Sequence, residues 1–182
     1  HTGTFGLAGI LSYNGNKTIT TGGGGMIITG DEDFAKKAKH LTTTAKIPHP
    51  FEFVHNEIGY NYRLTNVNAA LGVAQMEYFD ILLQNKKETS VLYKNFFNNL
   101  DIKYFTEPEN SNSNYWLNVI QLKDKIERKT FLEFTNNNGI MTRPIWRLMN
   151  QLEMYKNCQT DNLVNSFWLE ERVVNIPSGF RN

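Results

Sequence analysis

Apolar and polar positions along the chain fall into blocks that predict a mixed α/β fold. An apolar run between glycines, Leu7 to Tyr13, predicts a buried strand, and Gly24 to Thr29 predicts a second one. Asp31 then caps a predicted helix, DEDFAKKAKHL, which has acids in its first turn and bases near its end, as the helix dipole favours. The two strands are joined by a polar segment that contains one lysine, Lys17, and four glycines.

Two different patterns follow this helix, an irregular connection and then a second predicted helix. Residues 42 to 62 contain Pro48 and Pro50 and no sustained period, so they predict a long irregular connection of the kind that is often functional. Thr65 then predicts a helix N-cap. The apolar positions that follow recur at intervals of three and four: Val67, Ala70, Leu71, Ala74, Tyr78 and Leu82. The helix could reach Leu100, and because this is longer than most globular helices we expect it to bend or break midway or to bridge two domains.

A polar loop, EPENSNSN, separates this helix from a second unit. We place the domain boundary between residues 99 and 114, which divides the chain into domains 1–100 and 101–182. The second domain predicts a strand in WLNVIQL, a helix from Ile126 to Asn138 that Gly139 ends, a strand from Ile140 to Arg143 and a helix from Asp161 to Val173. Both parts therefore predict α/β structure.

Composition and charge exclude several classes of protein. The 182 residues, 40% of them hydrophobic, suffice for one large domain or two small ones. A net charge of +1 argues against binding to nucleic acid or anionic membranes through bulk electrostatics, and no apolar run approaches the roughly 20 residues of a membrane helix. The four histidines have no metal-ligand spacing, so no metal site is expected.

The single cysteine and the first residues of the chain lead to two further predictions. Cys158 cannot form an intrachain disulfide, which fits a cytoplasmic protein, and as a lone buried thiol it is expected to be inert. The chain begins in loop and strand without a methionine or a secretory signal, so we expect it to be part of something longer.

Lys17 is the main candidate for a residue that takes part in a reaction. It precedes the glycines of TTGGGG and follows Asn16, so the order required of a phosphate-binding P-loop, GxxxxGK, is absent. A partly desolvated lysine amine can attack a carbonyl, whereas a lysine in a polar turn can equally be a solvated surface residue. Local composition leaves both interpretations open, as it does for glycines that either form turns or approach a ligand.

Three ordered motifs resemble one enzyme family. The segment SYNGNKTITTGGGGMI resembles the lysine segment of the DegT/DnrJ/EryC1/StrS family of pyridoxal-phosphate-dependent sugar aminotransferases. The segment IGYNYRLTNVNAALGVAQME is similar to the family's GxNxRM segment, and GIMTRPIW followed by NIPSG resembles its carboxy-terminal domain. Within the family, the combination resembles the LegC-like transaminases.

The resemblance implies fold type I, the aspartate aminotransferase-like α/β fold, and assigns a role to each matching residue. Lys17 matches the lysine that anchors the cofactor covalently and later moves a proton at the substrate carbon. Ser12 matches a hydroxyl that binds the cofactor phosphate, with strand-end capping as its structural alternative. Asn61 matches an asparagine that reaches the phosphate of the neighbouring subunit's cofactor, and Arg63 is either a second anion contact or part of a buried ion pair.

The second domain and the connecting loop supply weaker candidates. Trp146 and Arg147 match the family's sugar-binding wall, although a tryptophan after a strand also suits a core, and His55 and His49 could approach a substrate. Many relatives have Glu where this chain has Gly23, and PLH followed by Pro where it has Met149, Asn150 and Glu153. The first departure removes a side chain without removing the motif, and the second concerns sugar specificity more than chemistry.

The resemblance implies amino transfer, from glutamate, to a nucleotide-linked 4-keto-6-deoxy sugar in bacterial surface-sugar biosynthesis, by a homodimer with shared sites. Because relatives are about twice as long, the chain is expected to be the carboxy-terminal half, lacking the half against which its first strands would pack. Two alternatives stay open: an inactive fragment that serves as a folding or interaction module, and a dehydratase of the same family. Such dehydratases carry His in place of the lysine, and Lys17 argues against that alternative.

Overall fold

A computed structural model describes residues 1–181 of the chain. Its contacts divide the chain into two compact units, His1–Phe79 and Asp80–Asn182. The domains predicted from the sequence, 1–100 and 101–182, stay a prediction about the whole protein.

The first unit contains two small hairpins and two helices. Strands β1 (Gly9–Ser12) and β2 (Gly25–Ile28) form an antiparallel pair, shorter at both ends than the sequence predicts. Helix α1 (Glu32–Thr42) begins at the predicted cap, where Asp31 accepts a hydrogen bond from the backbone N–H of Phe34 over 2.8 Å. The expectation of an irregular connection over residues 42 to 62 is wrong in part. Two-residue strands, β3 (Lys46–Ile47) and β4 (Val54–His55), pair within it.

The predicted long helix breaks midway, as expected. Helix α2 (Asn66–Glu77) begins at Thr65, whose hydroxyl accepts a hydrogen bond from the backbone N–H of Asn68, and ends at Tyr78. Helix α3 (Phe79–Phe97) follows at once. In the second unit, α3 carries Phe97 into the core, so this half of the predicted helix packs with the strands that come after it.

The second unit is a four-stranded antiparallel sheet with helices. The strands follow the order β5-β6-β8-β7. Their bounds are β5 (Lys103–Tyr104), β6 (Asn118–Gln121), β7 (Arg143–Pro144) and β8 (Val173–Ile176). Helices α4 (Lys125–Asn137) and α5 (Val164–Glu170) complete the unit. Strands β5 and β8 were not predicted. Helix α5 is shorter than predicted at both ends, and at its carboxy-terminal end the chain turns into β8 at Val173.

The two units differ in how much apolar surface they bury. The core of the second unit consists of Phe97, Ile120, Leu122, Val174 and Ile176. In the first unit, by contrast, Ala45 is the one apolar side chain that is buried among residues 1–79. The side chain of Ile10, in β1, remains 71% exposed. Because a lone two-stranded hairpin is marginally stable in water, β1 and β2 have little buried apolar surface to stabilise them.

None of the helices formed by residues 1–181 is long and apolar enough to cross a membrane.

Candidate active site

Lys17 lies in a tight loop between β1 and β2. The loop is closed at Tyr13, whose N–H donates to the carbonyl of Gly24 over 3.0 Å and whose carbonyl accepts from the N–H of Thr21 over 3.1 Å. Inside it, the N–H of Lys17 donates to the carbonyl of Asn14 over 3.0 Å. The side chain of Lys17 is half-buried. Backbone hydrogen bonds therefore hold both the N–H of Lys17 and the two ends of its loop.

Helix α2 holds the same loop from outside. The backbone N–H of Thr20 donates to Oε1 of Gln75 over 3.4 Å, and Nδ2 of Asn68 donates to the carbonyl of Thr21. Thr21 is buried, and a Cβ on Gly72 would lie 3.0 Å from its Cγ2. The helix thus approaches the loop closely enough to fix its position.

Ser12 ends β1 and is exposed. Its Oγ accepts a hydrogen bond from the backbone N–H of Asn14 over 3.4 Å. A hydroxyl that accepts one hydrogen bond keeps its own hydrogen for donation. Ser12 combines the strand-end contact with a donor that can serve a phosphate oxygen.

The glycines after Lys17 are not equivalent. Gly24 has a φ of +89°, a backbone conformation that favours glycine, whereas the atom nearest to a Cβ there is the movable Cδ1 of Leu64 at 2.8 Å. A Cβ on Gly23, by contrast, would meet no other atom within 4 Å. A larger side chain at position 23 would therefore extend into open space.

Asn61 lies on a segment that is joined to the end of α1 by backbone hydrogen bonds. The N–H of Tyr60 donates to the carbonyl of Leu41 over 2.7 Å, and the N–H of Tyr62 donates to that of Thr42 over 3.0 Å. Just before them, a Cβ on Gly59 would lie 2.5 Å from the backbone N of Ala45. Glycine is needed there because the two backbones are almost in contact.

Glu57 adds a charged contact between the same two segments. The Lys37 ammonium on α1 donates to Oε1 of Glu57 over 2.6 Å, and Nε2 of His40 lies 3.3 Å from the same oxygen. The hydrogen bond from Lys37 lowers the pKa of Glu57 from its ordinary value. The loop that leads to Gly59 is therefore attached to α1 by side chains as well as by backbone.

Arg63 and Asn61 are in direct contact. Nη1 of Arg63 donates to Oδ1 of Asn61 and Nη2 donates to the carbonyl of Thr43, each over 2.9 Å. Both side chains are exposed, and the ion pairs found within residues 1–181 do not include Arg63. Arg63 therefore does not form the buried ion pair that was its alternative role.

Arg63 also lines a depression of about 550 Å³ together with Lys46 and His49. Its other lining residues, Thr43, Pro48 and Pro50, are uncharged. The Lys46 ammonium lies 3.9 Å from the centroid of the Phe53 ring. Lys46 was not predicted from the sequence, because only the β3–β4 hairpin brings it to Arg63.

The remaining candidates are His55, Trp146 and Arg147. Nδ1 of His55 lies 2.7 Å from the carbonyl of Thr44, so Nδ1 carries the hydrogen and Nε2 faces away from this contact. Trp146 and Arg147 belong to the second unit, where Trp146 is 64% exposed and Nη1 of Arg147 donates to Oε1 of Gln151 over 3.2 Å. Trp146 is therefore not a core residue of this unit.

A groove of about 830 Å³ brings two predicted motifs together. Residues Gly23 to Gly25 and the pair Tyr62 and Arg63 line it, whereas Ser12, Lys17 and Asn61 lie outside its lining.

The expectation that Cys158 is buried is wrong, because its thiol is exposed. No group of three or more His, Cys, Asp or Glu side chains within residues 1–181 could hold a metal ion.

Comparisons with known proteins agree on one family. The model of the DegT/DnrJ/EryC1/StrS aminotransferase family matches residues 1–181. GDP-perosamine synthase from Escherichia coli O157:H7 is 33% identical over 98% of this chain and 48% of its own length. The chain thus spans about half the length of the curated relatives that it matches.

Solved structures show the same fold. Helicobacter pylori PseC, an aminotransferase involved in the biosynthesis of pseudoaminic acid, matches with a TM-score of 0.89 and 24% identity over 97% of this chain and 49% of its own. The E. coli GDP-4-keto-6-deoxy-D-mannose-3-dehydratase with bound hydrated PLP matches with a TM-score of 0.81 and 21% identity over 98% and 51%.

These comparisons confirm the predicted family, fold class and cofactor, while the LegC-like subgroup stays a prediction. The chain belongs to the DegT/DnrJ/EryC1/StrS aminotransferase family, whose members are α/β transferases of fold type I that depend on pyridoxal phosphate.

Proposed function

We propose that the chain acts within a polypeptide about twice its length as a cytoplasmic aminotransferase that transfers an amino group from glutamate to a nucleotide-linked 4-keto-6-deoxy sugar. The observation that carries this proposal is the position of Lys17, half-buried in a loop that is closed at Tyr13 and held by α2. A solvated surface lysine has no need of such support. The sugar aminotransferases among the relatives favour the same reaction class.

The residues of the first unit fit pyridoxal phosphate. Ser12 keeps an O–H donor at the end of β1, and Asn61 keeps both hydrogens of Nδ2, because Oδ1 faces the guanidinium of Arg63. Hydroxyl and amide donors suit phosphate oxygens, and a guanidinium adds charge to such contacts. We assign Ser12, Asn61 and Arg63 to the phosphate and Lys17 to the covalent attachment of the cofactor.

Lys17 performs two tasks in this proposal. When bound, the cofactor supplies an electron sink at the carbon that bears the amino group. Nζ of Lys17 would hold the cofactor in place, and once released its amine would take a proton from the amino-bearing carbon of the donor and deliver it to the cofactor within the same half-reaction. In the second half-reaction the amine would move a proton in the opposite direction, to the sugar carbon. The fixed backbone of the loop keeps this amine within reach during both tasks.

We further propose a homodimer in which each site takes residues from both subunits. Ser12 ends β1 and Lys17 lies in the loop that follows, whereas Asn61 and Arg63 are exposed on the segment that is hydrogen-bonded to the end of α1. In this arrangement Asn61 and Arg63 serve the phosphate in the neighbouring subunit. Exposure of a polar pair that is otherwise held rigidly supports a partner beyond the subunit.

The depression beside Arg63 supports its role as an anion contact. Lys46, His49 and Arg63 supply positive charge or N–H donors, and its other lining residues carry no charge. Such an arrangement favours a phosphate or carboxylate group. We therefore assign Lys46, together with Arg63, to the phosphate of the cofactor.

Transfer of labelled nitrogen tests this function directly. The natural polypeptide that carries this chain, called the full-length enzyme below, is incubated with ¹⁵N-glutamate and a panel of UDP- and GDP-linked 4-keto-6-deoxy sugars. We expect ¹⁵N in one sugar product by mass spectrometry, and none with Lys17→Ala. A product that has lost a hydroxyl without gaining nitrogen would instead identify a dehydratase.

A second candidate concerns the 182-residue chain by itself. Its first unit buries one apolar side chain among residues 1–79, which favours an isolated chain that is catalytically inactive and serves at most as a folding or interaction module. Transamination assays of the isolated chain and the full-length enzyme side by side distinguish these possibilities. Activity of the isolated chain would contradict this second candidate.

A further inference from the structure

The chain contains two Asn-Gly pairs, Asn14-Gly15 in the loop of Lys17 and Asn138-Gly139 at the end of α4. Asparagine is a thermolabile residue, and a following glycine favours its conversion because glycine has no side chain to hinder attack by its own backbone nitrogen. The two pairs have the same composition, so a difference in their reactivity must come from the structure around them.

The N–H of Gly15 lies in a β-turn and takes no part in the hydrogen bond of that turn. The N–H of Lys17 donates to the carbonyl of Asn14 over 3.0 Å, which places Gly15 and Asn16 at the centre of the turn. Neither of these two residues has a positive φ, as in a type I turn. No backbone carbonyl among residues 1–181 accepts a hydrogen bond from the N–H of Gly15. This nitrogen is therefore available for attack on the side chain before it.

The side chain of Asn14 is held only weakly. Its Nδ2 donates to Oδ1 of Asn16 over 3.4 Å, and the residue is exposed. A Cβ on Gly15 would meet no other atom within 4 Å, so the surroundings of the attacking nitrogen are open. The carboxamide of Asn14 can thus turn towards this nitrogen, and water can reach both groups.

The second pair is held in the opposite way. The N–H of Gly139 donates to the carbonyl of Asn136 over 3.1 Å. Nδ2 of Asn138 donates to the carbonyl of Phe134 over 2.8 Å, which holds the carboxamide against the last turn of α4. The backbone nitrogen and the side chain of this pair are therefore both engaged elsewhere.

We propose that Asn14 is a modification site at which the backbone nitrogen of Gly15 attacks Cγ of Asn14. As the N–Cγ bond forms, the Cγ–Nδ2 bond breaks and ammonia leaves with the amide hydrogen of Gly15. Water then opens the cyclic imide at either of its carbonyl groups, which gives aspartate or isoaspartate. The reaction consumes one water molecule and needs no oxidant or reductant.

This modification alters the proposed cofactor site. The N–H of Asn14 donates to Oγ of Ser12 over 3.4 Å, so the new carboxylate forms close to the hydroxyl that we assign to the phosphate. Negative charge at this place disfavours a phosphate. Isoaspartate also adds a main-chain carbon to the turn that holds the N–H of Lys17. The effect on the cofactor rests on the proposed function, whereas the reaction of Asn14 does not.

Peptide mapping of the cofactor-free full-length enzyme, incubated at mildly alkaline pH, tests the reaction. Asn138 in the same digest is the matched control, and Gly15→Ala places a Cβ in open space beside the attacking nitrogen. We expect the Asn14 peptide to be converted about tenfold or more faster than the Asn138 peptide, with isoaspartate among its products, and Gly15→Ala to slow this conversion. Equal conversion of the two asparagines, or a product without isoaspartate, would overturn the proposed reaction.

Fluorescence titration with pyridoxal phosphate tests the consequence for the site. Asn14→Asp should bind the cofactor about tenfold or more weakly, whereas Asn138→Asp should bind it as the unmodified enzyme does. Thermal unfolding of each variant establishes that it is folded. Unchanged affinity in Asn14→Asp would overturn the effect on the cofactor.

These measurements are separate from the test of transamination. If nitrogen transfer occurs but Asn14 is as stable as Asn138, the inference fails and the proposed function stands. If Asn14 is converted but another lysine carries the cofactor, the proposed function fails and the modification site stands.

Discussion

The guanidinium of Arg63 donates to Oδ1 of Asn61 over 2.9 Å and thereby turns the amide hydrogens of Asn61 outward. A guanidinium has no acceptor, so the atom that faces it must be the amide oxygen. The orientation of Asn61 is therefore set by Arg63. Arg63 itself is held by a second hydrogen bond, to the carbonyl of Thr43.

Arg63→Lys should weaken cofactor binding in the full-length enzyme about tenfold or more, because a lysine cannot make both contacts of the guanidinium. Asn61→Asp should weaken it further, since a carboxylate would face a phosphate. Fluorescence titration of the cofactor-free enzyme measures both effects. Lys36→Met is the matched control, because Lys36 pairs only with Glu32 in an exposed contact among the ion pairs of the first unit. Unchanged affinity in Arg63→Lys would contradict the role of Arg63.

Gly59→Ala should displace the segment that carries Asn61. A Cβ there would lie 2.5 Å from the backbone N of Ala45, and a backbone contact cannot move aside as a flexible side chain can. We expect a loss of stability of about 1–3 kcal/mol and weaker cofactor binding. Gly30→Ala is the control, since nothing lies within 4 Å of a Cβ at that position. Equal behaviour of the two variants in thermal unfolding would show that the close approach is unimportant.

The two units should differ in hydrogen exchange when the 182-residue chain is isolated. The second unit has a continuous core around Ile120 and Val174, whereas the apolar side chains of Ile10 and Leu11 in β1 and of Met26 and Ile27 in β2 are exposed. We expect amides of β6 and β8 to be protected and those of β1 and β2 to exchange rapidly, with protection of β1 restored in the full-length enzyme. Strong protection of β1 in the isolated chain would contradict the need for further polypeptide.

Asp124 should make the stability of the second unit depend on acid. Its Oδ1 accepts from the backbone N–H groups of Glu127 and Ile126, each over 2.9 Å, and these bonds lower the pKa of Asp124, that to Glu127 most. A carboxyl whose pKa is lower in the folded state stabilises the fold above its unfolded pKa and loses that effect as the pH falls through the folded pKa.

Asp124→Ala should therefore lower the melting temperature by a few degrees at neutral pH and have little effect once the pH is below the lowered pKa. Thermal melts of the full-length enzyme and the variant across the acid range measure the difference. A difference that persists unchanged at the lowest pH would contradict the role of the carboxylate.

The sequence predicted those features of the fold that depend on neighbouring residues in the chain, such as helix ends. The caps at Asp31 and Thr65 depend on side chains next to the helix, and Gly139, with a φ of +76°, follows the end of α4 as expected. Strands of two residues, such as β3 and β4, are too short to show a periodicity. Strand β8 begins at Val173, which the sequence pattern assigned to the end of a helix. Lys46 reaches Arg63 only through the hairpin, so no spacing could reveal it.

Lys17 is expected to carry the cofactor, and reduction followed by peptide mapping locates the attachment. The full-length enzyme is loaded with pyridoxal phosphate, reduced with borohydride to make the link permanent, digested and mapped by mass spectrometry, with Lys17→Arg as the control. We predict a pyridoxyl group on the peptide that contains Lys17 and no labelled peptide in the variant. A pyridoxyl group on any other lysine of the unmodified enzyme would show that Lys17 does not carry the cofactor.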